Sequence, residues 1–161
     1  MPSQVLSTQR SVGLDAWVRL LRGHAAATRA MSAQLSAEHG LTINDYEALI
    51  VLSRADHGLM RRVDLAEELL LTASGVTRLL DGLERSGWVE RATCDTDRRV
   101  VYAVLTEAGH AKLEEASASH LAGVRTFFED RYSAEELQHL AELLGRLPGA
   151  EGSDGSDCSV G

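Results

Sequence analysis

The chain has 161 residues, of which 44% are hydrophobic and 25% charged, and its formal net charge is -8. This length allows one domain with a buried core and is too short to expect two independent ones. Its apolar runs are a few residues long, whereas a membrane-spanning helix needs about 20, so we expect a cytoplasmic protein with neither a membrane segment nor a signal peptide.

The first part of the chain is predicted to form two helices. From residue 12 to about residue 39, apolar residues recur at steps of three and four, which is the pattern of a long amphipathic helix. Gly40 then occupies the usual position of a C-terminal helix stop. Thr42 is a predicted N-cap for a second helix that ends near Arg54, and a turn follows at residues 56–58.

The middle of the chain is predicted to contain two short helices and a hairpin. One helix covers residues 63–70, and Thr72 caps the next, which ends just before Gly87. Strand character at residues 88–91 and 99–105 then predicts two strands joined by a short connection.

The last part of the chain returns to helices. Thr106 is predicted to cap a long helix to about residue 130, and the Ser133 to Glu136 spacing is a capping box that opens a helix to about residue 146. The tail beyond, residues 150–161, is rich in Gly, Ser and Asp and is predicted to be disordered. The expected fold is therefore mainly α with a small β-hairpin.

The helix that begins after Thr72 has features that suit a DNA groove. Its leucines recur at core spacing, which leaves Ala73, Ser74, Thr77 and Arg78 exposed near its N-terminus. Small residues let a helix backbone approach base edges, hydroxyls reach phosphates or bases, and arginine binds guanine with two hydrogen bonds. The alternative is an ordinary capped amphipathic helix with a solvated polar face.

The predicted hairpin carries its charges at the tip, where packing does not require them. Arg98 and Arg99 can enter a narrow minor groove, in which the negative potential is deepest. Asp97, two residues before Arg99, is predicted to hold that guanidinium in an extended pose. The alternative is a solvated turn whose charges serve solubility.

The distribution of charge explains how an acidic chain can bind DNA. Residues 72–106 contain five arginines and five acids, so this segment is neutral. The remainder carries 11 basic and 19 acidic residues, which accounts for the whole net charge. Phosphate binding depends on local cations, and we expect weak nonspecific binding and therefore a need for two copies of the site.

At this point the chain resembles the MarR family of bacterial winged-helix regulators, over about residues 12–147. The wing signature of that family is Asp-x-Arg, three residues, an apolar position, then Leu-Thr and Gly. Here it is met by Asp97, Arg99, Ala103, Leu105, Thr106 and Gly109. The run SGVTRLLDGLERSGWVER is similar to the recognition helix and the first wing strand.

The resemblance implies one MarR-type domain over residues 1–150. Residues 42–105 are then a winged helix-turn-helix lobe, and residues 12–40 and 106–147 form a helical dimerisation region. Ser74, Thr77 and Arg78 are expected to read the major groove and Arg99 the minor groove. The expected DNA-binding residues are Thr72, Ser74, Gly75, Thr77, Arg78, Asp97, Arg98 and Arg99.

The chain departs from the family's pattern at three places. The turn between the two short helices normally carries glycine, and Leu70 stands there instead; a left-handed leucine would cost about 1 kcal/mol. Arg61 occupies the position of a Thr or Ser cap, and with Arg62 it is predicted to contact phosphate. The wing tip is one residue short, so either Arg98 or Arg99 is the residue that enters the groove.

The family often binds a small molecule between the dimer region and the DNA-binding lobe. Residues that can line such a pocket here are Trp17, Leu21, His24, Tyr46 and His110. An aromatic, anionic effector would suit them. The alternative is that Trp17 and Tyr46 pack in the dimer core and that His24 is a satisfied interface histidine. No cofactor is expected to be required.

Metal sensing is a rival hypothesis. Glu38 and His39 at the end of the first helix, with Glu107 and His110 at the start of the fifth, can supply the nitrogen and oxygen ligands of a zinc site. Glu107 and His110 are three residues apart and share a helix face. Cys94 and Cys158 have no metal-ligand spacing, and we expect them to be reduced surface thiols.

Together these features predict a homodimeric, sequence-specific regulator that binds a pseudopalindromic double-stranded DNA operator, by default as a repressor. Its partners are DNA, a second copy of the chain and a small-molecule effector. A winged-helix protein-interaction module without DNA binding is the alternative class. An enzyme is not expected, because no HExxH, phosphate-binding glycine loop or nucleophile elbow occurs.

Overall fold

The computed structural model describes residues 11–150. In chain order these contain α1 (Val12–His39), α2 (Ile43–Arg54), β1 (Leu59–Arg61), α3 (Arg62–Glu68), α4 (Ala73–Arg85), β2 (Val89–Thr93), β3 (Val101–Leu105), α5 (Glu107–Glu129) and α6 (Ala134–Leu144). Every predicted helix and both hairpin strands are present, and the strands are shorter or shifted by one to two residues. No helix within residues 11–150 is long and apolar enough to cross a membrane.

The chain divides into two compact units, and the division falls between Leu121 and Ala122. The first unit holds α1 to β3 and the first part of α5, and the second holds the rest of α5 and α6. The single domain expected over residues 1–150 stays a prediction. The disordered tail was predicted for residues 150–161, which lie outside the described residues except for Ala150.

The helix ends follow the local chemistry of their sequences. Gly40 adopts φ 67° after α1, and its N–H donates to the carbonyls of Leu35 and Ser36. Thr42 caps α2, and Asp45 completes a reciprocal capping box with it. Such caps satisfy backbone groups that have no partner inside a helix, and each contributes roughly 1 kcal/mol. Because the partners lie within a few residues, the sequence was sufficient to predict them.

The strand β1 was not predicted. It pairs antiparallel with β3, with Arg61 opposite Tyr102, and β3 pairs in turn with β2. The result is a three-stranded sheet in the order β1-β3-β2, rather than the expected two-stranded hairpin. A segment of three residues is too short to show the alternation that predicts a strand. β1 therefore forms only because it pairs with β3.

The core of the first unit lies among α2, α3, α4 and the sheet. Its fully buried members are mostly aliphatic: Leu35, Leu41, Leu49, Leu52, Leu65, Leu80, Leu83, Val76 and Val89. Burial of each such side chain contributes about 1.5–3 kcal/mol relative to exposure. This core fixes α4 and the sheet against each other.

Gly109 lies in the first turn of α5, where this helix packs against the end of the wing strands. A Cβ at this position would overlap the carbonyl oxygen of Trp88 and lie 2.6 Å from Leu105 Cδ1. The preceding cap is also shared between elements, because Thr106 Oγ1 donates to the Gly87 carbonyl at 2.7 Å and accepts from the Gly109 amide at 3.0 Å. The glycine that ends the wing signature is therefore needed for close packing.

The described part of the second unit consists of the end of α5, the turn after it, α6 and the residues up to 150. Ser133 and Glu136 form the predicted capping box of α6. The rings of Phe127 and Phe128 meet edge to face at 5.4 Å, and the Arg131 guanidinium lies 4.4 Å from the Phe127 ring centroid. No residue of α6 is buried.

Candidate nucleic-acid interface

A tight turn joins α3 to α4 and determines where α4 begins. Leu70 adopts φ 53° in this turn, and its side chain is 93% exposed. The position that carries glycine in the family's pattern is therefore left-handed here, and leucine at it costs about 1 kcal/mol because its Cβ crowds the following carbonyl. The Leu71 amide donates to the Ala66 carbonyl at 2.8 Å, which closes the turn.

The N-terminal turn of α4 holds the polar residues that were predicted to meet DNA. Thr72 Oγ1 accepts from the Gly75 amide at 3.1 Å and lies 3.2 Å from Ser74 Oγ. Thr77 Oγ1 donates to the Ala73 carbonyl at 2.8 Å. The hydroxyls of Thr72 and Thr77 therefore satisfy the backbone of α4, whereas Ser74 is exposed on its first turn.

Arg78 lies one turn further along α4 and is exposed. Within residues 11–150, no carboxylate lies within 4.0 Å of its guanidinium. Val76 and Leu80 are buried on the other side of the helix. The positive charge of Arg78 is therefore available to a partner outside the chain.

The C-terminal half of α4 carries two acids, and Arg91 of β2 binds both. Arg91 Nη2 pairs with Asp81 Oδ1, and Arg91 Nε lies 2.8 Å from Glu84 Oε2. All three side chains are partly exposed, so the energy of each pair is small. The arrangement ties the helix to the wing and compensates the acids on α4.

The wing is a short arm formed by β2, β3 and the turn between them. Cys94 donates its amide to the Val100 carbonyl at 3.2 Å, and Val100 donates to the Asp97 carbonyl at 3.0 Å. Asp97 Oδ1 accepts from the backbone amide of Arg99 at 3.0 Å. The predicted bond from Asp97 to the Arg99 guanidinium is therefore wrong, because the carboxylate is used to shape the turn.

Arg98 and Arg99 are exposed at the tip of the arm. Neither has a carboxylate within 4.0 Å among residues 11–150. The wing thus presents two uncompensated cations next to each other. An external anion between them would relieve their mutual repulsion.

Arg61 is the N-cap residue of α3, at the position expected from the sequence. Its Nε and Nη2 each lie 2.7 Å from a carboxylate oxygen of Asp64, in a two-point pair. The hydrogen bonds and charge of Asp64 raise the pKa of Arg61 above its ordinary value. The guanidinium of Arg61 therefore already has an anionic partner within the chain, and the phosphate contact predicted for this residue stays a prediction.

The comparisons with known proteins agree with this geometry. The sequence profile of the MarR family matches residues 39–100. AbsC, a MarR family transcriptional regulator from Streptomyces coelicolor, is 34% identical and has a TM-score of 0.72, over 85% of this chain and 90% of that one. The chain belongs to the MarR family.

Two further relatives extend the comparison. Sco3205, a MarR family transcriptional regulator from Streptomyces coelicolor crystallised in complex with DNA, is 26% identical with a TM-score of 0.71, over 80% of each chain. The HTH-type transcriptional repressor YetL of Bacillus subtilis is 32% identical over 69% of this chain and 66% of that protein. The predicted winged helix-turn-helix fold and MarR membership are confirmed, and the class is that of transcriptional regulators.

The residues predicted to line an effector pocket are spread over the first unit of this MarR-family protein. Trp17, Leu21 and His24 lie exposed on α1, and His110 is exposed in the first turn of α5. Tyr46 is only 5% exposed, and its hydroxyl donates to Ser117 Oγ at 3.0 Å. Ser117 lies about two helical turns from His110 along α5, and the grouping of these residues into an effector pocket stays a prediction.

Tyr46 instead contacts a buried histidine. Its ring centroid lies 4.6 Å from that of His120, and the two planes are tilted by 55°. Burial lowers the pKa of His120, so the neutral imidazole is favoured. His120 Nδ1 and Gln34 Oε1 are buried, and neither has a hydrogen-bond partner within residues 11–150. Sequence reasoning missed His120, which stands as an isolated histidine among small residues of α5.

The predicted metal site is not formed. His39 Nδ1 lies 3.2 Å from Glu115 Oε1, and its Nε2 contacts Ser119 Oγ. Glu107 and His110 are about one to two helical turns from Glu115 along α5, and so do not join His39. Among residues 11–150, no group of three or more His, Cys, Asp or Glu side chains is placed to hold a metal ion. The convergence of Glu38, His39, Glu107 and His110 was therefore wrong.

Three contacts of the MarR-type lobe were missed by sequence reasoning: the Arg61–Asp64 pair, the bonds of Arg91 to α4, and the position of Arg62 beside the wing. The Arg61–Asp64 spacing of three residues was a readable signal, because it matches neighbouring positions on one helix face. The other two depend on strand pairing and had no local signal.

Proposed function

We propose that this chain is a homodimeric, sequence-specific regulator of transcription that binds double-stranded DNA and represses by occupying a pseudopalindromic operator. The observation that carries the proposal is that some arginines of the lobe are paired with carboxylates and others are not. Arg61 and Arg91 are paired with carboxylates, whereas Arg78, Arg98 and Arg99 are exposed without such partners among residues 11–150. The similarity to Sco3205, solved with DNA, and to the repressor YetL supports this proposal.

The major-groove contact is assigned to the N-terminal half of α4. Ser74 and Arg78 present a hydroxyl and a guanidinium, and arginine bound in two-point fashion to guanine discriminates between bases by about 1–3 kcal/mol. Thr72, Gly75 and Thr77 build the helix start, whose amides favour a phosphate. Their contribution to DNA binding is therefore mainly to place Ser74 and Arg78.

The wing supplies the minor-groove contact. Its turn is held by Asp97, which leaves Arg98 and Arg99 exposed and free of carboxylates among the described residues. A narrow minor groove concentrates negative potential and attracts such side chains. In this arrangement α4 contacts the major groove and the wing contacts the neighbouring minor groove. Tight binding of DNA by the lobe therefore requires both elements.

The homodimer is supported by exposed apolar residues. In the first unit, Trp17 and Leu21 of α1 are 56% and 49% exposed, and Val12 and Leu14 are also exposed. In the second unit, the exposed apolar residues of α6 and its C-terminal end are Leu143, Leu144 and Leu147. A second copy of the chain is the simplest cover for such surfaces, and a two-fold dimer would place two copies of α4 about 10 base pairs apart.

Control by a small molecule completes the proposal. Trp17 and Leu21 offer apolar surface and His24 a titratable group on the same helix, which suits an aromatic anion. Such an effector weakens DNA binding only if it binds the DNA-incompetent dimer more tightly than the competent one. Release of the operator is then the expected response.

The test is fluorescence anisotropy of the purified chain on its own upstream DNA, with an unrelated duplex as competitor. Binding that resists the competitor is expected, with a stoichiometry of two chains per duplex by light scattering. Each titration is repeated with a panel of aromatic acids. Binding that disappears with the competitor, or that no upstream duplex elicits, would favour a winged helix that serves a protein partner.

The matched variants are Arg99→Ala, Arg98→Ala and Arg85→Ala, the last being an exposed arginine on the final turn of α4. Loss of one minor-groove cation is expected to weaken operator binding by about tenfold, while dimerisation and the Arg85→Ala titration stay unchanged. If Arg98→Ala and Arg99→Ala both bind as tightly as the parent chain, the wing does not contact the operator.

A further inference from the structure

The pairing of β1 with β3 brings the start of α3 next to the end of β3 from which the wing turn extends. Arg61 stands opposite Tyr102, so the chain that continues past Arg61 runs alongside the residues that precede Tyr102. A shallow pocket of about 100 Å³ lies between the two segments. Its lining residues are Arg61, Arg62, Val63, Arg99, Val100 and Val101.

Three guanidinium side chains therefore border one small pocket, and only one of them is compensated. Arg61 is paired with Asp64. Arg62 is half-buried and Arg99 is exposed, and within residues 11–150 neither has a carboxylate within 4.0 Å. Two like charges on the rim of a pocket with valine walls repel each other, and an anion between them removes that cost.

We propose that this pocket binds a phosphate of the DNA backbone, with Arg62 as its principal ligand and Arg99 on the opposite wall. The Arg61–Asp64 pair is a positioning element, since its two bonds hold the first turn of α3 in place. This inference rests on the proposed function and adds to it a contact from α3, an element to which the proposed function assigns none.

The source of the phosphate follows from the geometry of a duplex. One sugar-phosphate backbone separates a major groove from the neighbouring minor groove. A lobe with α4 in the first and the wing in the second must therefore straddle that backbone. Arg99 belongs both to the wing and to this pocket, so an anion in the pocket lies next to the element that enters the minor groove. Contacts of this kind set the register of the protein and carry no sequence information.

The experiment measures the salt dependence of DNA binding for the full-length chain and three variants. Arg62→Gln removes the charge, Arg62→Lys keeps it without the planar fork, and Arg85→Gln is the matched loss of an exposed arginine elsewhere on the lobe. Each is titrated with operator and with unrelated DNA at several salt concentrations, after circular dichroism has shown a native helix content.

Each lost phosphate contact lowers the slope of log K against log salt by about 0.9, so a dimer with two such sites should lose about 1.8. We expect this for Arg62→Gln, with about a tenfold loss of affinity on operator and unrelated DNA alike. Arg62→Lys should keep the slope of the parent chain. Arg85→Gln should match the parent chain in both slope and affinity.

A second measurement locates the phosphate. Single uncharged methylphosphonates are placed along the operator backbone between the two grooves. The parent chain is expected to lose affinity at several positions, and Arg62→Gln to be insensitive at one of them in each half-site while it remains sensitive at the others. This non-additivity identifies the pair in contact.

A folded Arg62→Gln variant with the slope and affinity of the parent chain would overturn the inference. So would a slope that falls equally in Arg85→Gln, since the effect would then be one of net charge. If the parent chain binds no duplex, the proposed function itself has failed, and that outcome is visible before any variant is compared.

Discussion

The two halves of α4 differ in how their charges are treated. Residues 73–78 contain one arginine and no acid, and Arg78 is exposed without a carboxylate partner among residues 11–150. The half that follows contains Asp81 and Glu84, and both are bonded to Arg91 from the neighbouring strand. The N-terminal half of α4 therefore has a cation that can bind an external anion. The C-terminal half is bonded to the neighbouring strand through its two acids.

This difference explains how a chain with a net charge of -8 can carry a DNA-binding surface. Coulombic attraction to phosphate is screened beyond about 10 Å at ordinary salt, so the local arrangement of charges matters more than their sum. The two acids of α4, Asp81 and Glu84, are compensated by Arg91, whereas Arg78 of the same helix is exposed.

The largest expected effect is on stability, from the attached half of α4. Leu83 is 1% exposed in the core, and Leu83→Ala should cost about 3 kcal/mol through lost burial and a residual cavity. Chemical denaturation at fixed protein concentration measures this cost, and operator affinity should be unchanged at temperatures where the variant is folded. A folded variant that has lost affinity would show that this half of α4 also meets DNA.

Arg78→Ala tests the other half of the helix. Operator binding should weaken by about 10- to 100-fold, since a two-point contact to a base is lost, and preference should relax at one base pair per half-site. Stability should change by less than about 0.5 kcal/mol, as expected for an exposed side chain. Anisotropy with single-base operator variants measures both effects, with Arg85→Ala as the control. An equal loss on every sequence would reassign Arg78 to the phosphate backbone.

Leu70→Gly tests whether the left-handed leucine strains the turn before α4. The leucine is left-handed and almost fully exposed, so glycine relieves strain without loss of burial. The expected gain is up to about 1 kcal/mol, or a rise in Tm of about 2–4 °C for a chain of this size. Leu70→Ala is the control and should give no such gain, because alanine keeps the Cβ. A lower Tm for the glycine variant would show that the leucine side chain has a packing partner.

The smallest effect is expected for Arg91→Gln. Its pairs with Asp81 and Glu84 are partly exposed, so the loss of stability should be about 0.5 kcal/mol. DNA affinity should fall about threefold at low salt, since two acids near the helix lose their compensation, and this deficit should shrink as salt rises. A loss as large as that of Arg78→Ala would mean that Arg91 contacts DNA itself, and the division of α4 into two halves would fail.

The helices and their ends were readable from the sequence. Gly40, Thr42, Ser133 and Thr106 mark helix boundaries within a residue or two, because a cap and its partner lie within four residues of each other. The place of Leu70 in the turn between α3 and α4 was also recognisable from the sequence, since this turn is closed by local bonds. The similarity to the MarR family followed from the residues of α4 and the wing, which are contiguous in the chain.

The tertiary structure alone decided which side chains meet across long separations. The strand β1 exists through its pairing with β3, more than forty residues later, and only this pairing places Arg62 beside Arg99. His39 contacts Glu115 and Ser119 rather than Glu107 and His110. The packing of α1 on α5 determines which residues of α5 lie next to the end of α1. Local patterns determine where helices begin and end, since backbone groups must be satisfied nearby. The partner of a charged side chain depends on how those helices pack, and no short stretch of sequence contains that information.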